Sequence, residues 1–205
     1  TGVVGYVAAL AAQYHGAGKP ARALQSVSQG LWLSLAFYPL LLGLVPLVRR
    51  GFALVGHDPV QVALEFSYFR ILMAGSLLFL LQSVLAGYFV GLGRTRVVMA
   101  ASVAGIFVTV PLNWVLVLGN LGAPRLGIEG AALGTLAGTL VIVAILAVAY
   151  LAGPAWREHG GAGAWKPRRE LLAKLLRYGG PAGAESFVNV FAFNVFILLM
   201  HSYGP

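Results

Sequence analysis

Two long stretches of the sequence carry no charged side chain, and they restrict the possible folds more than any other feature. One lies between Arg96 and Arg125, and the other runs from Gly130 to Trp156. Each is long enough to cross a bilayer, because roughly 20 apolar residues rising about 1.5 Å each span the hydrocarbon core. The short segment 119–127 between them is polar and rich in glycine. The sequence therefore predicts two antiparallel membrane helices joined by a turn at one face of the membrane.

The composition extends this prediction to the whole chain. Of its 205 residues, 59% are hydrophobic and 10% are charged, which lies outside the range of soluble globular proteins. The net charge of +8 does not indicate nucleic-acid binding, because the cations occupy loops between apolar runs. The lack of cysteine excludes a disulfide framework and a thiolate metal site in these residues. We expect an all-α polytopic membrane protein in the lipid bilayer, with no metal, organic cofactor or nucleic-acid partner.

Polar segments rich in glycine and proline divide the rest of the chain into further apolar runs. Six membrane spans are predicted, at about residues 1–14, 23–48, 66–93, 96–121, 127–152 and 175–205. The region from Gly51 to Glu65 is amphipathic and is interrupted at 57–59, which predicts a short interfacial helix and a turn. Residues 153–174 form the one long polar connection, which indicates a linker between two halves.

The basic residues predict the orientation of these spans. Loops on one side contain most of the cations: Lys19, Arg22, Arg94, Arg96, Arg157, Lys166, Arg168, Arg169, Lys174 and Arg177. The opposite side holds Arg49, Arg50 and Arg125, with Arg70 nearby. Because short cytoplasmic loops carry the excess of lysine and arginine, the first side is predicted to be cytoplasmic. The turn of the central hairpin then faces outward.

One acidic residue, Glu185, lies well inside a predicted span. An ionised side chain in a membrane helix costs about 2.5 to 3.5 kcal/mol on insertion scales, so it marks an ion or substrate path by default. Desolvation favours the neutral carboxyl group, which suits a proton carrier. Asn189 lies one helical turn further on the same face. The alternative is a carboxylate that only bonds a neighbouring helix or reaches toward the cytoplasm.

A second polar pair lies in the central hairpin. Asn113 precedes Pro124 by eleven residues and Thr135 follows it by eleven. The two therefore lie at similar depth, roughly 12 to 17 Å along their helices from the turn. Pro111 removes a backbone donor and frees the carbonyl of Phe107, which in lipid needs a partner or a wet cavity. Asn113 and Thr135 are predicted either to share a polar site or to hydrogen-bond between packed helices.

The remaining polar residues indicate no enzyme. The one aspartate, Asp58, lies in a predicted turn, and no histidine lies four residues from another. No glycine-rich phosphate loop follows a strand, and no serine nucleophile with a base is recognisable. Gln29 and Gln82 lie inside predicted spans, where they either line an aqueous path or bridge helices. We therefore expect a protein that is not an enzyme.

Several short motifs follow one another along nearly the whole chain. They are AQYHGAGK at 12–19, GLGRTRVVM at 91–99, PLN at 111–113, LG at 118–119, PRLG at 124–127, GAALGT at 130–135, and Gly180-Pro181 followed by Glu185. Each motif is weakly specific alone, but their order and spacing together are more specific. In this order the sequence resembles the multidrug and toxic compound extrusion (MATE) family of secondary transporters.

The resemblance implies a fold of twelve helices in two lobes of six around a central cavity. Residues 1–152 would then form most of the amino-terminal lobe, and 153–174 the cytoplasmic interlobe linker. Residues 175–205 would form the first helix of the carboxy-terminal lobe, so the chain runs from the second to the seventh helix of the family. Since the chain begins and stops in apolar sequence, we expect it to be part of a longer protein whose remaining residues are its partner.

The resemblance also assigns roles to single residues. Asn113 and Thr135 match polar positions of an amino-terminal cation site in some members, but Val117 stands where those members carry an aspartate. The acid that many members carry on the seventh helix corresponds in position to Asn189. Glu185 stands one turn earlier on the same face, where it is expected to substitute for that acid or to be structural.

The function implied is a secondary antiporter that exports amphipathic or cationic organic compounds in exchange for H⁺ or Na⁺. Such a multidrug efflux protein would lie in the cell membrane, with a bacterial inner membrane expected. One alternative is a flippase for lipid-linked oligosaccharide with a related fold, which would need a more strongly cationic cavity. A second alternative is a membrane scaffold that transports nothing. A third is an intramembrane enzyme that is completed by residues outside this sequence.

Overall fold

A computed structural model describes residues 2–54 and 59–202. Within these ranges only the backbone is described at 49–54, 59, 162, 194, 197–199 and 201–202. The predicted turn at 57–58 and the chain ends 1 and 203–205 therefore lie outside the described residues. In the described part every regular element is a helix, which confirms the predicted all-α class.

The helices follow one another along the chain with short connections. They are α1 (Gly2–Gly5), α2 (Val7–Gly16), α3 (Pro20–Leu54), α4 (Pro59–Ala74), α5 (Ser76–Gly91), α6 (Thr95–Leu118), α7 (Ile128–Ala152), α8 (Pro154–His159), α9 (Ala162–Trp165) and α10 (Arg169–Ser202). A short 3₁₀ turn, Asn120–Gly122, follows α6.

Three of these helices, α3, α6 and α7, are long and apolar enough to cross a membrane. The pair α4 and α5 is a fourth if the two form one bent span. The first and last predicted spans correspond to α1 with α2 and to α10. The former pair contains short helices of 4 and 10 residues, and the latter carries charged residues through its first turns.

The helix that contains the predicted span 66–93 is broken near its middle. Helices α4 and α5 meet at Gly75 with a bend of 49°. A Cβ atom at Gly75 would overlap the side chain of Leu136 on α7, so glycine lets this side chain lie directly against the break. The sequence Gly75-Ser76 is also a pair at which helices kink. The bend therefore lets α7 pack closely against the break.

Helix α3 is longer than the predicted span 23–48. It continues through Pro39 and Pro46 to Leu54, so residues 51–54 extend α3 and do not form a separate interfacial helix. On the other side of the undescribed residues, α4 already begins at Pro59. The described part of the predicted interfacial segment thus consists of the ends of two long helices.

The core lies where α2, α3, α5 and α7 meet. Its most deeply buried side chains are apolar: Val7, Leu24, Val27, Val84 and Leu146. Helices α8 and α9, within the predicted linker, pack against α3. Helix α10 begins at Arg169, earlier than the predicted boundary at 175, and packs against α1 and α3.

Candidate functional site

Helices α6 and α7 form the most extensive helix pair in the described part of the chain, and glycine lines their contact. Gly130, Gly134 and Gly138 recur at intervals of four on α7, so they share one face. A Cβ atom at Gly130 would lie 2.7 Å from the carbonyl oxygen of Leu116. Small residues at such intervals let two membrane helix backbones approach closely.

Asn113 lies in this contact, directly against Gly134. A Cβ atom at Gly134 would overlap Asn113 Oδ1, so the amide oxygen occupies the space that the glycine leaves. Asn113 Oδ1 is buried and has no hydrogen-bond donor among the described residues. A buried carbonyl oxygen of this kind is an acceptor for a cation, a water molecule or a donor from another helix.

Thr135, the other residue predicted for this site, follows Gly134 directly and uses its hydroxyl within its own helix. Its Oγ1 donates to the backbone oxygen of Ala131 at 2.9 Å. Thr139 Oγ1 in turn donates to the backbone oxygen of Thr135 at 2.8 Å. The structure thus places Thr135 at the level of Asn113, but gives the two side chains no direct hydrogen bond.

Glu185 and Asn189 lie on one face of α10, and both are exposed. In the described part of the chain no hydrogen bond or ion pair is assigned to the Glu185 carboxylate. Several of its helical neighbours are apolar, and Phe187, Val188 and Phe191 are each at least 60% exposed. An acidic side chain among exposed apolar ones in a helix of this kind is positioned to meet a ligand or another helix.

Helix α10 approaches α1 closely a few residues before Glu185. A Cβ atom at Gly179 would lie 2.7 Å from the backbone oxygen of Val3, and one at Gly2 would overlap Gly183. The rings of Tyr6 and Tyr178 stack at 5.9 Å between centroids. The two helices are therefore in backbone contact through glycine, with a pair of tyrosines beside it.

A groove of about 330 Å³ opens next to this contact. It lies between α1, α3, α5 and α10, and Ala184, the neighbour of Glu185, is in its wall. The other lining residues are mostly apolar, among them Val3, Phe37 and Leu80. An amphipathic compound bound near Glu185 would find apolar surface here.

The predicted site residues thus occupy two separate places. Asn113 and Thr135 lie in the α6–α7 pair, whereas Glu185 and Asn189 lie on α10, whose extensive contacts are with α1 and α3. No group of three histidine, aspartate or glutamate side chains within the described ranges is arranged to hold a metal ion.

Gln29 has a role that sequence reasoning left open. Its side chain is fully buried on α3, where Nε2 donates to the backbone oxygen of Lys166 at 3.1 Å. Its Oε1 accepts the backbone N–H of Arg168 at 2.9 Å. Gln29 therefore bridges a helix to the predicted linker. Its position in a span predicted a polar contact, but not the identity of the partner.

A network of charges joins the start of α10 to α2 and α3. Glu170 accepts hydrogen bonds from Lys174 at 3.1 Å and from Arg22 at 3.3 Å, and Lys174 also donates to the Tyr14 hydroxyl. The bond from Lys174 and then that from Arg22 hold the pKa of Glu170 below its ordinary value of 4.5. The bonds to Glu170 and Tyr14 raise the pKa of Lys174 above 10.5.

Comparison with known proteins places this geometry among membrane transporters. The profile of the MatE family matches residues 4–115. The multidrug resistance protein NorM of Vibrio parahaemolyticus is 26% identical over 195 residues, which are 95% of this chain and 43% of that protein. A probable multidrug resistance protein NorM of Agrobacterium fabrum is 26% identical over 97% of this chain and 43% of its own length. The chain thus spans less than half of the relatives that it matches.

A solved structure shares the fold as well. It is the outward-facing conformation of a multidrug resistance MATE family transporter of the MOP superfamily, with a TM-score of 0.80 and 24% sequence identity. The match covers 94% of this chain and 42% of that one. The arrangement of α1 to α10 is therefore the arrangement found in part of that transporter.

Proposed function

We propose, from the premise that this chain belongs to the MatE family of membrane transporters, that the complete protein is a multidrug antiporter. It would export amphipathic or cationic organic compounds in exchange for H⁺ or Na⁺. The relatives named as multidrug resistance proteins support the substrate class. The exchange for an ion is what the resemblance to the MATE family implies, and Glu185 is the residue of this chain that supports it.

The observation that carries the proposal is the exposed Glu185 carboxylate on α10, which has no assigned partner within the described part of the chain. A carboxylate in a predicted membrane span is costly and marks an ion or substrate path. Asn189, one turn further, adds a neutral polar group to the same face. We assign Glu185 as the residue that binds the coupling ion and the cationic substrate in turn.

The mechanism we propose is competition at Glu185. The ionised carboxylate attracts a cationic substrate from the cytoplasmic side, and the nearby apolar groove beside Ala184 holds its hydrophobic part. Proton or Na⁺ binding from the outer side then neutralises the carboxylate and releases the substrate. Transport in one direction requires that the inward and outward states differ in affinity for substrate and ion.

The movement between these states would occur between two lobes. In this proposal residues 1–152 belong to the first lobe, 153–174 form the interlobe linker and 175–205 begin the second lobe. The contact of α10 with α1 is then a contact between lobes, where glycine residues let the two backbones approach closely. Such a surface can separate and close again with little rearrangement of side chains.

Asn113 and Thr135 are proposed as a second, auxiliary cation site in the first lobe. The support is the buried Asn113 Oδ1, which has no donor in the described part of the chain. Oxygen ligands suit Na⁺ as they suit other hard cations, but this pair has no carboxylate because Val117 stands where some members carry an acid. A site formed by these two residues would hold a cation more weakly than one with a carboxylate.

The direct test is uptake of a fluorescent organic cation into everted vesicles that contain the complete protein in a bacterial inner membrane. Either an acidic interior or a Na⁺-loaded interior is imposed, and uptake is compared with vesicles that lack the protein. We expect uptake driven by one of the two gradients. A flippase or a scaffold would give no gradient-driven uptake, and that result would overturn the proposal.

A further inference from the structure

The segment that connects α7 to α10 has a fixed position against α3. Gln29 holds the backbone of Lys166 and Arg168 with two hydrogen bonds, at 3.1 and 2.9 Å. Trp32 Nε1 donates to the backbone oxygen of Trp165 at 3.0 Å. Because the three bonds come from one face of α3, residues 165–168 lie along that helix at the predicted cytoplasmic side of the protein.

Beside this segment is an apolar groove of about 420 Å³. Its lining is entirely hydrophobic and comes from α3, α5 and the end of α9: Leu31, Trp32, Leu35, Leu77, Leu81 and Trp165. The two tryptophans are 44% and 40% exposed. Tryptophan is enriched at membrane interfaces, where one end of the side chain is apolar and the other is polar. The groove therefore suits a hydrocarbon chain that enters from the interface.

Three cations follow the groove in sequence. Lys166, Arg168 and Arg169 are exposed, and in the described part of the chain none of them has an acidic partner. Two other cations, Arg22 and Lys174, are by contrast paired with the carboxylate of Glu170. Basic groups beside a membrane attract anionic headgroups. Uncompensated positive charge thus lies directly beside a hydrocarbon-binding surface.

We propose that this groove and the adjoining cations form a site for an anionic phospholipid of the cytoplasmic leaflet. One acyl chain lies in the groove against Trp32 and Trp165, and the phosphate of the headgroup binds Lys166 and Arg168. A free phosphate would leave the apolar groove unused, and a zwitterionic lipid would leave the positive charge uncompensated. The bonds from Gln29 and Trp32 fix the site before the lipid arrives.

The test uses the complete protein in phosphatidylcholine vesicles with a trace of photo-crosslinkable phosphatidylglycerol. A matched sample contains photo-crosslinkable phosphatidylcholine, and labelled peptides are mapped in both. We expect phosphatidylglycerol to label residues 31–35 and 77–81 roughly tenfold more than phosphatidylcholine does. The double variant Lys166→Gln with Arg168→Gln should reduce this excess to near one, and so should 1 M salt with the wild type.

The control is Arg94→Gln with Arg96→Gln, which removes two exposed cations on the same predicted side but away from the groove. It should leave the tenfold excess unchanged. Equal labelling by the two lipids in the wild type would mean ordinary boundary lipid and would overturn the proposal. The proposal would also be overturned if the excess persisted in the Lys166→Gln, Arg168→Gln double variant and at high salt. The salt experiment needs no variant, so a folding defect cannot imitate its result.

Discussion

At the scale of single residues, the contact of Asn113 with Gly134 is one of the tight points of the α6–α7 pair. We predict that Gly134→Leu lowers the stability of the complete protein, because the new side chain would overlap Asn113 Oδ1. Overpacking of this kind costs about 1 to 3 kcal/mol. Gly43→Leu is the matched control, because a Cβ atom there meets nothing within 4 Å. Thermal unfolding in detergent measures both, and equal melting temperatures would contradict the packing described here.

The carboxylate of Glu170 provides a prediction about pH. Its pKa lies below 4.5 because Lys174 and then Arg22 donate to it. A group with a lowered folded pKa contributes stability above its unfolded pKa and loses that contribution as the pH falls through the folded value. Contact of the start of α10 with α3 should therefore weaken only in acid below pH 4.5.

Replacement of the two partners separates their effects on Glu170. Lys174→Gln should raise the pKa of Glu170 more than Arg22→Gln does, because the bond from Lys174 is the larger cause of the lowered value. The measurement is a titration of the labelled glutamate carboxyl carbon by NMR. The interpretation would be wrong if Arg22→Gln produced the larger change, or if neither variant moved the pKa.

At the scale of helices, the glycine contact between α10 and α1 is the element that the proposed movement depends on. We predict that Gly179→Leu separates the two helices, since a Cβ atom at Gly179 would lie 2.7 Å from the backbone oxygen of Val3. Gly180→Leu is the control on the same helix, because a Cβ atom there meets nothing within 4 Å. Transport should fall in the first variant, whereas the second should keep the contact between α10 and α1 intact.

Separation of these helices can be measured directly. These 205 residues contain no cysteine, so Tyr6→Cys and Tyr178→Cys introduce one reactive pair where the tyrosine rings now stack at 5.9 Å. A short bifunctional thiol reagent should link the pair in the otherwise unchanged protein and in Gly180→Leu. In Gly179→Leu the yield should fall severalfold. An undiminished yield would show that α10 tolerates a large side chain at this contact.

The sequence predicts some of these elements better than others, for physical reasons. Helices α6 and α7 are flanked by charged residues and a glycine-rich turn, so their predicted bounds, 96–121 and 127–152, differ little from Thr95–Leu118 and Ile128–Ala152. The break at Gly75 was not predicted, because a single glycine in an apolar run is ambiguous. Leu136, which packs against the break, is distant in sequence.

At the scale of the whole molecule, contacts between segments distant in sequence could not be predicted from the sequence patterns. Gln29 was predicted either to line an aqueous path or to bridge helices, whereas its partner Lys166 lies 137 residues away in the linker. The depth shared by Asn113 and Thr135 could be predicted from helical rise and the position of the turn. The orientation of the Thr135 hydroxyl toward Ala131 could not, because it depends on a local choice between acceptors.

The central claim for the whole molecule is that transport is coupled to an ion through Glu185. The same claim explains why an acidic side chain is exposed among apolar neighbours on α10. In the same account the groove beside Ala184 holds the hydrophobic part of the substrate, and the close contact between α10 and α1 is where the lobes move. A purely structural Glu185 would leave the transport chemistry unchanged when the charge is removed.

The most direct measurement follows an imposed pH gradient across everted vesicles that contain the complete protein, with and without Na⁺, after an organic cation is added. Glu185→Gln is compared with the wild type and with Glu158→Gln, which removes an exposed carboxylate from α8. We expect the cation to collapse the gradient, or to drive Na⁺ exchange in its place, in the wild type and in Glu158→Gln but not in Glu185→Gln. Equal exchange in all three proteins, at equal expression, would contradict a role for Glu185 in coupling.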